Sequence, residues 1–598
     1  MTEEKNGAFK ITAGTFAGPA VFFGSFAVYL LTLAPEVTFW DCGELSAAAW
    51  SLGIPHPPGY PLFCIIGKFF TFLPLGSVVY RLNVMSAFFA AGTVYVLFLT
   101  LKRVLRGVPF AQWLSAAAAL SFAFYSYFWG VSVVAAVRTL SIFLLALTAW
   151  FLLVFEESQE LKWLYLSAFS LGFSLVSHES AYFVIPAFII YHLSRSRTRK
   201  ASVIMVSAGL FILAWSTFLY DPVRGHAGPI IDIGRPDTLR NIRWVLKWDR
   251  YGSMLRSTLL NVSSFFTGAR IAAGAATLGI AAGVIYPLRK RRWLLFMIIA
   301  GASFYFCMTF LTISAIAVRK MGLLDKYYNP VFIFLIPALA FGLSFLWEKF
   351  HTKNRLIPAI AAVVLFALPA FLLVSNYKAL DNSRNFFAYD LAGNELNSLK
   401  PFSAIFSWGD NGVFPVWYRQ DVEKYRDDVF FIHAELLSYD WYMENRQAEM
   451  YRRYGIPFFP RAPLSDIRSN VDGMAKRLKE KTSVYFDFSS ATQLKIPMTS
   501  LIPQGVAWML PPGRPRPLGR IWGLYNLRGA LDDSTNKAFA VEGVLNIYAW
   551  EAAIWSQTTA RPTEALNAYF VAKKLGFNNK LLDKWAVSLQ RKLGGAGK

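Results

Sequence analysis

The stretch TFWDCGELSAAAWSLGIPHPPGYPLF, from Thr38 to Phe63, follows a long apolar run and opens with two carboxylates, Asp41 and Glu44. A histidine, His56, then stands among four prolines. Acids beside an apolar segment of membrane length need an explanation, because ionisable groups held at membrane depth are costly. The role of this stretch therefore depends on the side of the membrane that it faces.

The composition predicts a protein that crosses a membrane many times. Of 598 residues, 55% are hydrophobic and 16% are charged, and the mean hydropathy is +0.38. Soluble domains carry about 25% charged residues. The net charge of +23 is explained by cationic loops that face anionic lipid headgroups, and no nucleic-acid partner is expected. The three cysteines show neither a disulfide framework nor zinc spacing, which favours free thiols.

Apolar runs of membrane length recur and predict about eleven spans. The first run, from Ile11 to Ala34, is longer than the apolar part of a cleavable signal and is interpreted as a retained signal anchor. The predicted spans are 13–34, 80–101, 111–129, 133–155, 161–177, 180–194, 201–220, 269–287, 293–317, 328–347 and 356–375.

Four cationic clusters follow the second, sixth, eighth and tenth spans and provide a check on this count. They are Lys102, Arg103 and Arg106; Arg195, Arg197, Arg199 and Lys200; Arg289, Lys290, Arg291 and Arg292; and Lys349, Lys353 and Arg355. All four lie on one side if the N-terminus is cytoplasmic, as the positive-inside rule requires. The count needs a break at His178 and Glu179, because one long helix there would invert everything downstream.

Asp41 and Glu44 then lie outside the membrane, three residues apart. In a helix this spacing places both side chains on one face. One alternative is that Asp41 is a helix N-cap; the functional alternative is a general base or a metal-orienting carboxylate at the membrane–water boundary. His56 is held between Pro55 and Pro57, which suits either a site residue or a hydrogen bond in a turn.

A second outer loop, YDPVRGHAGPIIDIGRPDTLRNIRWVLKWDRYG from Tyr220 to Gly252, is unusually basic for that side. Ordinary solvation is one explanation, and a phosphate site is the other, because arginine binds phosphate through two hydrogen bonds. Arg224 is the preferred phosphate ligand since it directly follows a span. Carboxylates and arginines at headgroup height fit a lipid-anchored phosphosugar and predict glycosyl transfer from a polyprenyl-phosphate carrier.

Three separated segments also resemble one family. FWDCGELSAAAWSLGIPHPPGYPLF resembles the first-loop signature of polytopic glycosyltransferases known as domain of unknown function 2723, bacterial relatives of the animal protein O-mannosyltransferase of the endoplasmic reticulum. The loop beginning YDPVRGHAGP and the segment SWGDNGVFPVWYRQDVEKYRDDVFFIHAELLSYDWY resemble later parts of the same family. The resemblance implies the GT-C class, in which an aspartate of the first outer loop is the base.

Residue roles follow from this resemblance as expectations. Asp41 is the expected catalytic base, with Glu44 beside it. The expected ligands of the donor phosphate are Arg224, His226 and Arg138. The expected substrate-binding residues are His56, Tyr60, His178, Glu179 and Tyr251. The chain departs from the family in the fourth span, where Ala136, Val137 and Arg138 replace a Glu-Val-Tyr-like triplet. A buried Arg138 would need a partner, and Glu179 or Asp41 can supply one.

After the last span the sequence changes character. Strand-like segments such as SAIFSW, DVFFIH and SVYFDF alternate with helical ones such as DWYMENRQAEMYRRYG, which predicts an extracytoplasmic α/β domain over 376–530. The GDN triplet, Gly409 to Asn411, is interpreted as a turn rather than an acceptor or metal site. Residues 531–598 are predicted to form a helical, tetratricopeptide-like tail. The membrane module is assigned to 1–375.

The sequence therefore predicts an α-helical polytopic membrane protein that moves a hexose, mannose being favoured, onto a hydroxyl of an extracytoplasmic protein, with inversion. Alternatives are a lipid or polysaccharide acceptor, or a transporter of lipid-linked sugar. Transporters place ionisable groups near the bilayer midplane, whereas the acids here lie in loops. The expected partners are the polyprenyl-phosphate sugar, the protein acceptor and membrane lipid. No cofactor is assigned, with Mg or Mn left open, and the expected location is the bacterial inner membrane.

Overall fold

The computed structural model describes residues 16–246, 292–313, 329–350, 356–460, 462–463, 466–514, 525–526, 528, 562–574 and 580–595. Tyr251, the span predicted at 269–287 and most of the predicted tail lie outside these residues. Where a structural feature is said below to be absent, the statement applies to these ranges.

The part of the chain before residue 381 is built from helices. They are α1 (Ala17–Leu31), α2 (Cys42–Ser51), α3 (Pro61–Phe70), α4 (Val78–Val104), α5 (Ala111–Ala123), α6 (Ser126–Ser132), α7 (Val137–Ser158), α8 (Leu161–Ser177), α9 (Ile185–Leu193), α10 (Ala201–Trp215), α11 (Tyr220–His226), α12 (Leu239–Leu246), α13 (Arg292–Ile313), α14 (Asn329–Phe350) and α15 (Leu356–Leu380), with 3-10 turns at Glu179–Val184 and Ser216–Leu219.

Three continuous helices in the described part are long and apolar enough to cross a membrane: Val78–Val104, Val137–Ser158 and Ala201–His226. The pair α5 and α6 adds a fourth if its 69° bend lies within one span. The predicted break at His178 is confirmed, because α8 ends at Ser177 and the backbone of His178 is extended. The total of eleven spans stays a prediction.

Three of the predicted cationic clusters meet at one end of the helix bundle. Arg103 at the end of α4 pairs with Glu157 at the end of α7, with 2.5 Å between Nη1 and Oε2. Arg195, just beyond α9, pairs with the neighbouring Glu156, and Arg292 donates a hydrogen bond to the carbonyl of Ser194. The opposite end of α7, where the helix begins at Val137, faces the first outer loop.

The region after α15 contains a five-stranded sheet with helices around it. Its strands are β1 (Ala404–Ser407), β2 (Phe430–His433), β3 (Val484–Asp487), β4 (Ile502–Pro503) and β5 (Ala507–Met509), and its helices are α16 (Phe387–Ser398), α17 (Asp410–Trp417), α18 (Asp440–Tyr454), α19 (Ile467–Lys479) and α20 (Phe488–Gln493). In the tail, α21 (Pro562–Lys574) and α22 (Lys580–Gly595) are described. The three predicted strand segments are thus confirmed as strands.

The sheet has the order β2-β1-β3-β5-β4, in which the first three strands are parallel and β5 is antiparallel to β3. Parallel strands end at a common edge, so the residues after β1, β2 and β3 meet there. Ligands of open α/β sheets bind at that carboxyl edge. In this chain the edge lies against the first outer loop.

The α/β region and the first outer loop share one apolar core. Leu45 of α2 and Phe63 of α3 belong to the same buried cluster as Phe406 of β1 and Ile432 of β2. Gly43 of α2 lies so close to α17 that a Cβ there would be 2.3 Å from the carbonyl oxygen of Phe414. A glycine is therefore required at the crossing of α2 and α17.

We predict that Gly43→Ala lowers the free energy of unfolding by about 1–3 kcal/mol, the usual cost of overpacking a tight contact. Gly24→Ala in α1 is the matched control, because among the described residues no atom outside its own helix backbone and chain neighbours lies within 4 Å of a Cβ there. It should leave stability unchanged or raise it slightly, since alanine favours helix over glycine. Thermal unfolding in detergent tests this; equal midpoints for both variants would contradict the contact.

Candidate active site

Glu44 is the most deeply buried charge of the first outer loop. It lies on α2, a helix of small residues packed on all sides, and its exposed fraction is 0%. Both of its oxygens are satisfied by His56: Oε2 is 2.6 Å from Nδ1, and Oε1 accepts the backbone N–H of His56 at 2.6 Å. A buried charge needs such a partner, because an unpaired one costs several kcal/mol.

This contact determines the charge of His56. Burial by itself lowers the pKa of a histidine, but the charge and hydrogen bond of Glu44, with Asp41 and Asp410 adding to them, raise the pKa of His56 to about 9. His56 is therefore an imidazolium at neutral pH. Glu44 is engaged in holding His56 through both of its oxygens, and its expected catalytic role stays a prediction.

Asp41 stands at the N-cap position of α2 but does not cap the helix. Its backbone is helical, with φ −67° and ψ −11°, and its side chain makes no capping hydrogen bond. The N-cap alternative is therefore wrong, because a capping residue has an extended backbone and bonds a first-turn N–H. The side chain is half-buried and lies near His56 and His178, whose pKa values it influences.

The ring of Tyr60 links His56 to His178, which lies at the end of α8 in the helix bundle. The ring of Tyr60 packs edge-on against His56, with 5.0 Å between centroids, and stacks on His178 at 6.3 Å. Nδ1 of His178 accepts the N–H of Ser180 at 3.2 Å, so the proton of the neutral ring resides on Nε2. Burial lowers the pKa of His178 to about 4, opposed by Glu179 and aided by Arg138. Two histidines of one site thus differ in charge.

Arg138 lies in the first turn of α7, at the same end of the bundle. The backbone leading to it is fixed by α4: the N–H of Ala135 donates to Asn83 Oδ1 at 2.6 Å, and the N–H of Ala136 donates to Ser86 Oγ at 3.1 Å. Arg138 is half-buried, and its charge acts on His178. The structure therefore brings Asp41, Glu44, His56, Tyr60, His178, Glu179 and Arg138 to one place.

The structure does not bring Arg224 to that place. Its Nε donates to the carbonyl of Leu52 at 2.6 Å and its Nη2 to that of Ser51 at 3.3 Å, so it satisfies the C-terminal end of α2. Asp41 is at the other end, about 15 Å away at 1.5 Å per residue. The structure thus holds Arg224 at the opposite end of α2 from Asp41, and its role as a phosphate ligand stays a prediction. The C-terminus of a helix carries partial negative charge, so it attracts a guanidinium as a negatively charged phosphate would.

His226 is likewise apart from the cluster, since its Nδ1 bonds the carbonyl of Pro222 within its own helix at 2.7 Å and its side chain is exposed. Tyr251 lies outside the described residues, so its substrate-binding role stays a prediction. Within the described ranges, no group of three His, Cys, Asp or Glu side chains is arranged to hold a metal ion. The open alternative of Mg or Mn stays a prediction.

Sequence reasoning missed Asp410 and Asn411, which follow β1 at the carboxyl edge of the sheet. The Asn411 side chain accepts the N–H of Trp40 at 2.8 Å, next to Asp41. Asp410 acts electrostatically on His56. The sequence feature that could have revealed them is the GDN triplet directly after a strand, which the sequence analysis interpreted as a turn.

The fold resembles that of a solved membrane protein, ArnT. Solved structures of ArnT from Cupriavidus metallidurans superpose on it: the undecaprenyl phosphate-bound form has a TM-score of 0.53 at 13% identity and covers 85% of this chain and 100% of its own. The apo form has a TM-score of 0.50 at 12% identity, with 84% and 100% covered. At such identities the likeness concerns the fold alone.

Sequence comparisons point to a particular family. The family model of the protein O-mannosyl-transferase TMEM260 N-terminal domain matches residues 41–202, and that of TMEM260-associated domain 2 matches residues 388–480. The protein O-mannosyl-transferase TMEM260 of Mus musculus is 26% identical over 459 residues, which are 71% of this chain and 63% of the mouse protein. That of Dictyostelium discoideum is 22% identical over 514 residues, 76% and 62% of the two chains.

These matches support an O-mannosyltransferase-like family. The chain spans less than two thirds of the length of both relatives. The numbered domain family and the bacterial inner membrane stay predictions, as does the orientation of the termini.

The Glu44–His56 pair predicts a pH-dependent stability. Because the pKa of His56 is raised from 6.5 to about 9, its stabilisation is complete below about pH 6.5 and is lost as the pH rises through 9. At roughly 1.4 kcal/mol per pKa unit the contribution is about 3 kcal/mol. His56→Gln should therefore be destabilised most at pH 6.5 and approach the wild-type stability by pH 10.

Unfolding in detergent across this pH range measures the effect. The matched control is His226→Gln, which removes an exposed imidazole that has no carboxylate partner in the described structure. It should track the wild-type protein at every pH. A difference between wild type and His56→Gln that is constant from pH 6.5 to 10 would show that the ion pair does not form.

Proposed function

We propose that this chain is an integral-membrane, inverting glycosyltransferase. It moves a hexose, with mannose favoured, from a polyprenyl-phosphate carrier to a serine or threonine hydroxyl of an extracytoplasmic protein. The single observation that carries the proposal is Asp41, a half-buried carboxylate that does not cap its helix and that acts on both His56 and His178, the second of which Arg138 also influences. The names of the two relatives support protein O-mannosylation.

The base is Asp41. Its carboxylate takes the proton of the acceptor hydroxyl while the oxygen attacks the anomeric carbon, and the bond from that carbon to the phosphate oxygen breaks. A positioned base contributes about 10²–10⁴-fold to such a step. Glu44 serves this reaction indirectly, because it holds His56 in place and in its charged form.

The leaving phosphate is stabilised by Arg138 and His56 in this proposal. Positive groups fixed where charge develops need no reorganisation during the reaction, and Asn83 and Ser86 fix the backbone before Arg138. The solved ArnT structure contains undecaprenyl phosphate, which supports a lipid phosphate as donor. Arg138 stands where the family resemblance implies a tyrosine, so donor binding in this chain uses a positive charge at that position.

We expect Asp41→Asn to lower transfer from polyprenyl-phosphate mannose to a serine/threonine peptide by at least 100-fold, because the amide cannot take the proton. Amounts in the membrane and unfolding midpoints should stay as in the wild type. Asp472→Asn is the control, since Asp472 is an exposed aspartate of α19 whose near partner is Arg468, 3.8 Å away. A well-folded, fully active Asp41→Asn protein would exclude the base role.

We expect Arg138→Gln to raise the donor KM at least tenfold with little change in the acceptor KM. Arg138→Lys should be intermediate, because lysine keeps the charge and loses the planar fork. Arg224→Gln is the comparison: it should lower stability, through the carbonyls of Ser51 and Leu52, more than donor use. Separate donor and acceptor titrations decide, and an unchanged donor KM in both Arg138 variants would reject the assignment.

A further inference from the structure

The GDN turn of the α/β region contacts the residue before Asp41, because Asn411 accepts the N–H of Trp40. It follows β1, and α17 begins there at Asp410. Two contacts hold α17 against α2: the Trp40 N–H donates to Asn411 Oδ1 at 2.8 Å, and Gly43 lies against the Phe414 carbonyl. Trp40 is the residue before Asp41, and Asn411 is the residue after Asp410. The hydrogen bond between Trp40 and Asn411 therefore holds the backbones next to the two aspartates together.

Exposure to water differs among the three carboxylates of this region. Glu44 is fully buried, Asp41 is half-buried and Asp410 is exposed. Glu44 is paired with His56. Asp41, as the proposed base, takes a proton at every turnover and must release it before the next one. Asp410 is the carboxylate of the three that reaches water while still acting on the same histidine as Asp41.

This inference rests on the glycosyl transfer proposed above. We propose that Asp410 is a positioning residue that acts through Asp41 and passes the acceptor's proton from Asp41 to water. The proton leaves the hydroxyl for Asp41 as the glycosidic bond forms and the bond to phosphate breaks. It then moves to Asp410, directly or across one water, and on to solvent. Asp41 is thereby an ionised base again before the next acceptor arrives.

The charges around Asp410 suit this role. The residue is exposed as a whole, but its carboxyl group is partly shielded by neighbouring protein. This desolvation, and then the negative charges of Asp41 and Glu44, raise the pKa of Asp410 to about 6, with Glu435 adding to the rise and His56 opposing it. These groups come from α2, from the loop after it and from the residue stretch after β2. A carboxylate with such a pKa is ionised at pH 7.5 and accepts a proton more readily than an ordinary aspartate. It releases that proton to water at the same pH.

The first test is the pH profile of kcat. In the wild type, kcat should fall as the pH drops below about 6, because protonated Asp410 can take no further proton. Asp410→Asn should lower kcat at least tenfold at pH 7.5 and move the acid limb to lower pH, because Asp41 then titrates without its negative neighbour, and Asp410→Glu should keep the limb in place and part of the rate. Formate should restore part of kcat in Asp410→Asn. Asp472→Asn should behave as the wild type.

Other outcomes overturn the inference. If Asp410→Asn lowers kcat by one factor at every pH and keeps the acid limb in place, Asp410 is only structural. If it raises the acceptor KM and leaves kcat unchanged, Asp410 binds the acceptor instead.

A second measurement separates this inference from the proposed function. Difference infrared spectroscopy of the protonated carboxyl band, assigned with Asp410→Asn, follows the titration of Asp410 without any substrate. In Asp41→Asn the pKa of Asp410 should fall, because a negative neighbour is gone. An unchanged titration overturns the pairing even if transfer occurs. If the titration of Asp410 depends on Asp41 but the wild-type protein transfers no sugar, the interaction of Asp41 with Asp410 stands and the proposed reaction is refuted.

Discussion

Glu44, a fully buried carboxylate, is neutralised by a single histidine that bonds both of its oxygens, and the arrangement of the outer loops depends on this pair. The contact ties the proline-rich loop of His56 to α2 and fixes the imidazole in its charged form. Asp41 at one end of α2 and Tyr60 at the start of α3 are positioned as a consequence.

The small residues of α2 allow two different parts of the chain to approach the same helix. Transmembrane helices pack on one side of α2, and the α/β region packs on the other through Gly43 and the Phe414 carbonyl. The carboxyl edge of the parallel strands is thereby turned toward the first outer loop. The membrane helices and the α/β region thus meet at one junction, where residues some 370 positions apart, such as Trp40 and Asn411, are hydrogen-bonded.

Electrostatics divides the cluster into distinct roles. His56 is charged and His178 is neutral, although one tyrosine packs on both rings, because a carboxylate pairs with the first while burial dominates the second. Arg138 adds a positive charge at the start of α7. Negative and positive groups therefore alternate over a short distance, which suits a reaction that removes a proton from one partner and releases a phosphate from the other.

The sequence by itself determined the membrane character, the break at His178 and the three strand segments, and it singled out the stretch around Asp41, His56 and Tyr60. Each follows from local composition, periodicity or a continuous motif. Only the tertiary structure decided that Arg224 serves the far end of α2 and that Asp410 joins the acids. For Arg224 the physical reason is that an arginine is attracted equally by a phosphate and by the carbonyls at a helix end. For Asp410 it is that the sequence of a turn after a strand does not show which part of the chain the edge of the sheet will face.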